Sequence, residues 1–481
     1  MGRPPEVVPV TPRRLTGFDS VFLAAELPGN WLHVMAVLIL DPQSIPGGYS
    51  FDGFREFIAR RLHLVPPLRR RLLEVPFGLA RPLWAEEPDL DLELHVRRAA
   101  VPSPGGPREV AALAAEIDER PLDRSRPLWE LVVVEGLAHG RFAVVAKLHH
   151  SMMDGMAGLR HMASLFSAEP GLDEPREPAW QRPSRVPSDL ELLAGAVPSL
   201  LQQPLRAARA GARTLASGLR DAVRSVEREE AEPPPTTVRR MSFNAHTTAH
   251  RAVAYTALPL AELKAAGRPM SATVNDVLLA VVAGALRQYL GPRGELPPEP
   301  LVAGVPLSTH VEGEDRDNAV TSSSVSLATH LEDPAERLAA IRDASSYAKR
   351  HRRSAVSDSL AEWLDIPPPL VFSFVARAYT GLRLVDRMPL MCNLLVSSVN
   401  GPPSALYFGG ARLVGLYPLG PVYDGMALNV TALRCGDSLD VGLVACRGVI
   451  RDLWEIADAM PDALAELTAS RRARARRARA S

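Results

Sequence analysis

Two adjacent imidazoles, His149 and His150, stand in the run Lys147-Leu-His-His-Ser-Met-Met-Asp-Gly-Met156, followed by Asp154 and Gly155. Histidine titrates nearest neutral pH and can take a proton from a hydroxyl. The preceding residues, Arg141 to Leu148, read as a buried β-strand, so the pair falls at a strand end. Neighbouring side chains on an extended chain point to opposite faces, so the two histidines cannot be equivalent. One faces a cleft and the other is anchored in the protein. The spacing suggests one working base, one supporting histidine, and a carboxylate, Asp154, that fixes local geometry by pairing with a distant arginine. Gly155 would let the backbone approach closely and begin the next helix. The competing reading is a structural histidine pair satisfied within a core.

Other chemistries find less support. His150 and Asp154 are four apart and could form a helical ligand pair, but a catalytic zinc site needs three protein ligands. HExxH is absent and no further Cys/His cluster stands out, so no metal is expected. Neither a Gly-x-Ser-x-Gly elbow nor a glycine-rich phosphate loop is present, which disfavours a serine hydrolase and a nucleotide triphosphate enzyme.

The elements that must hold such a site are legible in part. Trp31–Leu40, Leu90–Val96, Leu128–Glu135 and Phe142–Leu148 read as strands, with Gly136–Gly140 as a turn. Phe51–Leu62, Glu109–Ile117 and the stretch marked by Met156, Leu159, Met162 and Phe166 carry a helical period. Five prolines between 170 and 187 mark an irregular stretch. Next comes a helical segment with Leu205, Ala208, Ala212, Leu215 and Leu219 on one side and Arg206, Arg209, Arg213, Arg220 and Arg224 largely on the other. It reads either as a helix packed on its own protein with a solvated basic face, or as a helix that touches an anionic lipid surface. From Arg251 the mixed texture resumes. Thr273–Leu290 is a strong helix, with Thr273 or Asn275 as N-cap. Leu301–Pro306, Ser322–Leu327, Leu394–Val399 and Leu439–Cys446 read as strands, and Asp333–Arg350 and Leu453–Leu467 as helices. The basic tail Arg471–Arg479 reads as a frayed extension.

The expected organisation is an α/β (mixed α+β) chain with an N-terminal domain at 11–180, a crossover linker at 181–250, a C-terminal domain at 251–468 and a tail at 469–481. A length of 481 residues favours two cores over one. Lys+Arg and Asp+Glu both number 55, a balance that argues against nucleic-acid binding by bulk charge. The 3 cysteines, Cys392, Cys435 and Cys446, form no CxxC and imply neither a disulfide framework nor a thiolate metal site. A reducing cytoplasm is the simplest home. The N-terminus has no apolar secretory stretch, and Leu32–Leu40 and Val277–Ala285 fall short of a membrane span. Any contact with a membrane is expected from the side.

The run His149-His-Ser-Met-Met-Asp-Gly155 resembles the HHxxxDG motif of CoA-dependent acyltransferases. Further blocks narrow the resemblance to the bacterial wax ester synthase/diacylglycerol acyltransferase family. Pro121-Leu-Asp-Arg-Ser-Arg-Pro-Leu-Trp-Glu130 is similar to its PLW block and Thr273-Val-Asn-Asp-Val-Leu278 to its ND block. Val305–Ser308, Asp317-Asn318 and Ser324–Leu327 resemble its middle region, and Ser397-Ser-Val-Asn-Gly-Pro-Pro403 its SNVPGP block. Gly420-Pro421, Ala427–Asn429 and the early Leu15-Thr-Gly-Phe-Asp-Ser20 are also similar. The ordered set spans about residues 11–455.

The resemblance implies two domains of the chloramphenicol acetyltransferase type with an active-site tunnel between them. It implies His150 as general base, deprotonating a diacylglycerol or long-chain alcohol that attacks a fatty acyl-CoA, with no covalent intermediate and no cofactor beyond the acyl-CoA co-substrate. Asn275 becomes a candidate oxyanion donor, while Asp154 is structural. The substrates imply a peripheral place on a membrane or lipid inclusion. The chain departs from the family at Ser398, where Asn is usual, at Asn400, where Pro is usual, and at Arg434-Cys435, where Ser-Tyr is common. Those departures bear on the acceptor. A polar alcohol, an amine or a carrier-bound acceptor is one alternative, and a non-catalytic lipid-binding protein that keeps the fold is another.

Overall fold

The computed structural model describes residues 12–27, 29–152, 158, 161–171, 186–225, 238–308, 320–350, 366–402 and 404–480. Asp154 and Gly155 lie outside the described residues, as do Asp317-Asn318 and most of the stretch from Met156 to Leu159. The strands are β1 (Arg13–Arg14), β2 (His33–Asp41), β3 (Arg70–Leu73), β4 (Leu83–Glu86), β5 (Val96–Gly105), β6 (Trp129–Leu137), β7 (Phe142–His149), β8 (Phe166–Ser167), β9 (Arg251–Pro259), β10 (Val302–Ser308), β11 (Val320–Ser326), β12 (Leu394–Val399), β13 (Tyr407–Phe408), β14 (Ala411–Leu419), β15 (Leu428–Cys435) and β16 (Ser438–Cys446). The longer helices are α1 (Gly17–Ala24), α2 (Phe51–Arg61), α3 (Pro107–Asp118), α4 (Asp189–Ser225), α5 (Leu260–Gly267), α6 (Val274–Leu290), α7 (Pro334–Arg350), α8 (Pro369–Gly381) and α9 (Leu453–Ala480).

β6 and β7 are rich in Val, Ala and Leu buried on both faces, and they lie side by side next to the central strand β2 of a seven-stranded sheet in the order β5-β6-β7-β2-β14-β13-β8. The register sets His33 of β2 opposite His149 of β7. A six-stranded sheet, β11-β10-β12-β15-β16-β9, is built from the second half of the chain. α5, α6 and α9 cover it over a core that includes Leu279, Val282, Leu443 and Met460. α6 starts with a capping box in which Thr273 and Asp276 satisfy each other's backbone, so Thr273, not Asn275, is the N-cap.

The sheets do not divide at a single boundary. Residues of β13 and β14, far along the chain, return to the first sheet, where β14 pairs antiparallel with β2 from Leu419↔Met35 to Arg412↔Asp41. Val37, Val145, Val253, Tyr255 and Val444 then share one buried cluster with α3 between the sheets, and Tyr255 stacks on Tyr417 at 4.3 Å. β14 and β16 approach so closely that a Cβ at Gly442 would stand 2.0 Å from the carbonyl oxygen of Pro418.

Several expectations are corrected. Leu90–Val96 is not a strand: the Asp91 carboxylate accepts the Glu93 N–H at 2.9 Å and holds a short helical turn, and the strand begins at Val96. Phe166, expected on a helix, lies in β8 opposite Phe408, where stacking on that ring favours an extended chain. The basic tail is not frayed, because α9 continues to Ala480. α4 also differs: Leu192, Ala196 and Ala210 are its buried positions, while Leu201 and Leu205 face outward. Among the described residues no single helix is long and apolar enough to cross a membrane.

The close crossing of β14 and β16 yields a stability prediction. Gly442→Ala forces a side chain into a backbone carbonyl and is expected to cost about 3 kcal/mol. Gly448→Ala, where nothing lies within 4 Å of the added carbon, is expected to stay within about 0.5 kcal/mol. Urea unfolding of the two variants checks both.

Candidate active site

The Leu15-Thr-Gly-Phe-Asp-Ser20 block folds as α1 because Thr16 and Asp19 form a capping box, with the Thr16 hydroxyl donating to Asp19 Oδ2 at 2.6 Å. That helix delivers two groups to the end of β7. Phe22 stacks on the His150 ring, with centroids 4.1 Å apart and planes 18° from parallel. Glu26, just past the helix end, turns its carboxylate inward toward His149.

The strand end itself separates the histidines. His149 is the last residue of β7 and is 1% exposed. His150 begins a tight turn, its N–H donating to the Leu32 carbonyl at 2.9 Å while Met152 N–H donates to the His149 carbonyl at 3.0 Å. His150 is half-buried under Phe22, and His149 is the anchored member of the pair.

The His149 ring is oriented by its neighbours. Ser151 N–H donates to Nδ1 at 3.1 Å, and the Ser151 hydroxyl lies 2.7 Å from the same atom. A ring nitrogen that accepts a backbone N–H carries no proton, so the neutral ring bears its proton on Nε2. Nε2 faces Glu26 Oε2 at 3.7 Å. Arg124 grips that same oxygen through Nη2 at 2.6 Å and Nε at 3.1 Å, and its Nη2 also donates to the Leu23 carbonyl. Burial pushes the Glu26 carboxyl up, but His149 and Arg124 overcome it and hold the group at about 2.

The network continues inward. His33 Nε2 lies 4.0 Å from Glu26 Oε1, and its Nδ1 lies 3.3 Å from Asp118 Oδ1. Burial depresses the His33 pKa, partly offset by Asp118, so this ring stays neutral near pH 7. Arg251 of β9 reaches Asp118 Oδ2 at 3.7 Å and donates to the Gly29 carbonyl at 2.7 Å. Lys147 donates to the Ile117 carbonyl at 2.7 Å and to the Arg120 carbonyl; burial lowers its pKa to about 8. The PLW block serves the same floor. Trp129 is buried, donates from Nε1 to the Leu68 carbonyl at 2.7 Å and stacks on His95, while the block's Arg124 holds Glu26.

The structure thus brings His149 and His150 together with Phe22, Glu26 and Arg124. Asn275 is the second residue of α6, in the helical layer of the second sheet, and among the described residues no hydrogen bond joins it to either histidine. The departures at Ser398, Asn400, Arg434 and Cys435 converge. Ser398 pairs in register with Ala432, and a Cβ at Gly401 would meet the Arg434 carbonyl at 2.0 Å. Leu433, Val399 and Cys435 join the apolar cluster that holds Met152, Leu15 and Leu23, so this junction touches the core beneath the histidines.

Glu26, Arg124, His33 and Arg251 were not singled out by sequence reasoning. A signal existed for two of them: Glu26 interrupts the apolar run Phe22-Leu-Ala-Ala, and His33 interrupts the apolar strand beginning at Trp31. Arg124 and Arg251 carry no such mark.

A family model described as the wax ester synthase/diacylglycerol acyltransferase catalytic domain matches residues 15–278, and one for the C-terminal domain of that family matches residues 317–468. A putative diacylglycerol O-acyltransferase of Mycobacterium tuberculosis is 34% identical over 461 residues, covering 94% of this chain and 90% of that protein. A probable diacylglycerol O-acyltransferase of the same organism is 34% identical over 473 residues, covering 93% and 97%. Among solved structures, the wax ester synthase/diacylglycerol acyltransferase of Marinobacter aquaeolei VT8 superposes with a TM-score of 0.67 at 26% identity, covering 95% of this chain and 98% of that one. The first condensation domain of the calcium-dependent antibiotic synthetase shares the fold at a TM-score of 0.54 and 18% identity, covering 96% and 97%.

The Glu26 carboxylate gives a pH-dependent prediction. Glu26→Gln removes the anion between Arg124 and His149 and is expected to destabilise by about 3 kcal/mol near pH 7. A carboxyl held below its ordinary value of 4.5 stabilises the fold fully above that pH and loses the effect as pH falls toward about 2. Urea midpoints of the two proteins are therefore expected to differ most above pH 5 and to converge as the solution is acidified.

Proposed function

Because the chain belongs to the wax ester synthase/diacylglycerol acyltransferase family, we propose that it moves a fatty acyl group from acyl-CoA to a diacylglycerol or a long-chain alcohol, with His150 as general base. The observation that carries this reading is the division of labour at the end of β7. His149 is locked into a buried network by Ser151 and Glu26, which leaves His150, half-buried against Phe22, as the ring at the edge of that network.

The steps follow from the chemistry of the groups. His150 takes the proton of the acceptor hydroxyl, and the oxygen attacks the thioester carbonyl. The tetrahedral oxyanion collapses, the C–S bond breaks, and the CoA thiolate takes the proton back from the imidazolium. Ester and CoA leave, and no bond to the protein forms. Asp154 and Gly155 belong to this reading as the structural end of the motif. Asn275 belongs to it as an oxyanion donor, and reaching a substrate oxygen is what that role demands. The reading requires a passage that brings the acyl-CoA and the acceptor to His150, with room for a fatty chain. The acyl-CoA is a co-substrate, and no cofactor enters the scheme. Such substrates place the protein on the cytoplasmic face of a membrane or on a lipid inclusion, held from the side.

A second reading keeps the reaction and changes the acceptor. It is favoured by the junction of Ser398, Asn400, Arg434 and Cys435, where four departures from the family pattern meet beside the core under the histidines.

Purified protein is expected to release CoA from palmitoyl-CoA in the presence of dioleoylglycerol or hexadecanol, with the matching ester seen by thin-layer chromatography. His150→Ala is expected to lower kcat by about 10²–10⁴-fold. Unchanged turnover in that variant removes the assigned base. Turnover only on polar alcohols or amines selects the second reading.

A further inference from the structure

One face of the protein is built against the usual rule for a helix on a soluble core. In α4 the positions Leu190, Val197, Leu201 and Leu205 recur at helical spacing and share one stripe, yet they are exposed, Leu201 by 77%. The helix is anchored from the other side by Leu192 and Ala196, which pack on Val75 and Ala80. Arg206 and Arg209 lie between the anchored and the outward stripes. Apolar residues outermost with arginines on the flank is the arrangement of a helix lying in a membrane interface.

Two neighbouring segments repeat the pattern. Phe77 is 79% exposed and adopts φ 61°, a left-handed conformation that a bulky residue rarely takes. A phenyl ring held in water at the cost of backbone strain points to a role at that spot. Next to it, a Cβ at Gly78 would contact the backbone of Leu370 at 3.3 Å, so Phe77 stands beside the start of α8. No residue of α8 is buried; Leu370 and Val371, one turn before Phe374 and Val375, turn outward, with Phe374 72% exposed. α8 packs on α1, the helix whose Phe22 covers His150.

A cavity of about 210 Å³ joins these segments, lined by Arg14, Arg81, Ser199, Gln202, Arg206 and Pro368 among others, and by neither histidine. No carboxylate lines it among the described residues. Arg14 Nη1 donates to the Arg81 carbonyl at 2.7 Å, and Arg206 Nη2 donates to Gln202 Oε1 at 3.0 Å, which fixes both guanidinium groups at the cavity wall. Glu191 lines the adjoining cavity, but its carboxylate accepts from the N–H and hydroxyl of Ser188.

We infer that this face docks on an anionic phospholipid bilayer, with a lipid phosphate seated among Arg14, Arg81 and Arg206 while Phe77 and the outer stripe of α4 enter the acyl region. Guanidinium groups pair with phosphate through two parallel hydrogen bonds, and polybasic surfaces beside apolar anchors bind anionic leaflets. A second copy of the chain is a poorer occupant, because a two-fold contact through this face sets like charges against each other. The inference rests on the reading of the acceptor as a membrane lipid. It adds the surface that meets the bilayer, next to the helix that covers the base.

Co-sedimentation with vesicles tests it. The full-length chain is expected to bind phosphatidylcholine vesicles containing phosphatidylglycerol at least tenfold more tightly than phosphatidylcholine alone, and to lose that preference at high salt. Phe77→Gly/Leu201→Ser, in which glycine suits the φ at position 77, is expected to weaken binding at least tenfold. CoA release with a short water-soluble alcohol in the absence of vesicles is expected to stay unchanged, and that arm tests acyl transfer by itself. Leu201→Ser alone, a substitution on an exposed face, is expected to weaken binding several-fold. Wild-type-like vesicle binding by the double variant overturns the inference, as does indifference to phosphatidylglycerol. A rise in KM for acyl-CoA in Arg206→Gln without vesicles also overturns it, by giving the cavity to the phosphates of CoA. A solution dimer that the double variant dissociates gives the face to a second copy.

Discussion

A carboxylate cannot stay ionised inside a protein without compensation, and the buried Glu26 carboxylate is where the halves of the site are tied together. Arg124 supplies a full opposite charge and two hydrogen bonds to one oxygen. His149 and His33 face its two oxygens at 3.7 and 4.0 Å. Each of those partners comes from a different element: the loop before β6, the end of β7, and the start of β2. Removing any one leaves the others with desolvated polar atoms, which is far more costly than never having built the cluster. The carboxylate therefore fixes three elements relative to α1.

The same arrangement explains why two neighbouring histidines have different fates. Strand geometry sends His149 into the network, where the Ser151 N–H selects its tautomer. The turn that follows carries His150 out beneath Phe22. Arg251, arriving from the second half of the chain, closes the far side through Asp118 and Gly29. The floor under the base is thus shared by both halves, even though the motif itself lies in one.

Much of this was legible in the sequence, for identifiable reasons. The mostly apolar runs of β2, β6 and β7 announce buried strands, and the Thr273-x-x-Asp276 spacing announces a helix start. The inequivalence of His149 and His150 follows from pleat geometry alone. What the sequence hid depends on long-range pairing. The alternation in Leu90–Val96 matched a strand, but the local Asp91 hydrogen bond won. The apolar residues of α4 were readable as one stripe; which stripe faces the protein is decided by Val75 and Ala80, over a hundred residues earlier. Nothing in Ala411–Leu419 says that it belongs to a sheet begun at residue 33, and nothing local links Glu26 to Arg124.

That return of β14 has a consequence for how the chain comes into being. During synthesis, β2 emerges early and presents one edge with no neighbour until residues 411–419 have left the ribosome. For most of translation the sheet that carries the histidines is open on that side, with a row of unused amide and carbonyl groups beside an apolar surface. The nascent protein thus depends on shielding of that edge for far longer than a chain made of two successive modules. Cut in the crossover and expressed as a separate polypeptide, the first half would lack β13 and β14 of its own sheet, while the second half would keep every strand of the six-stranded one.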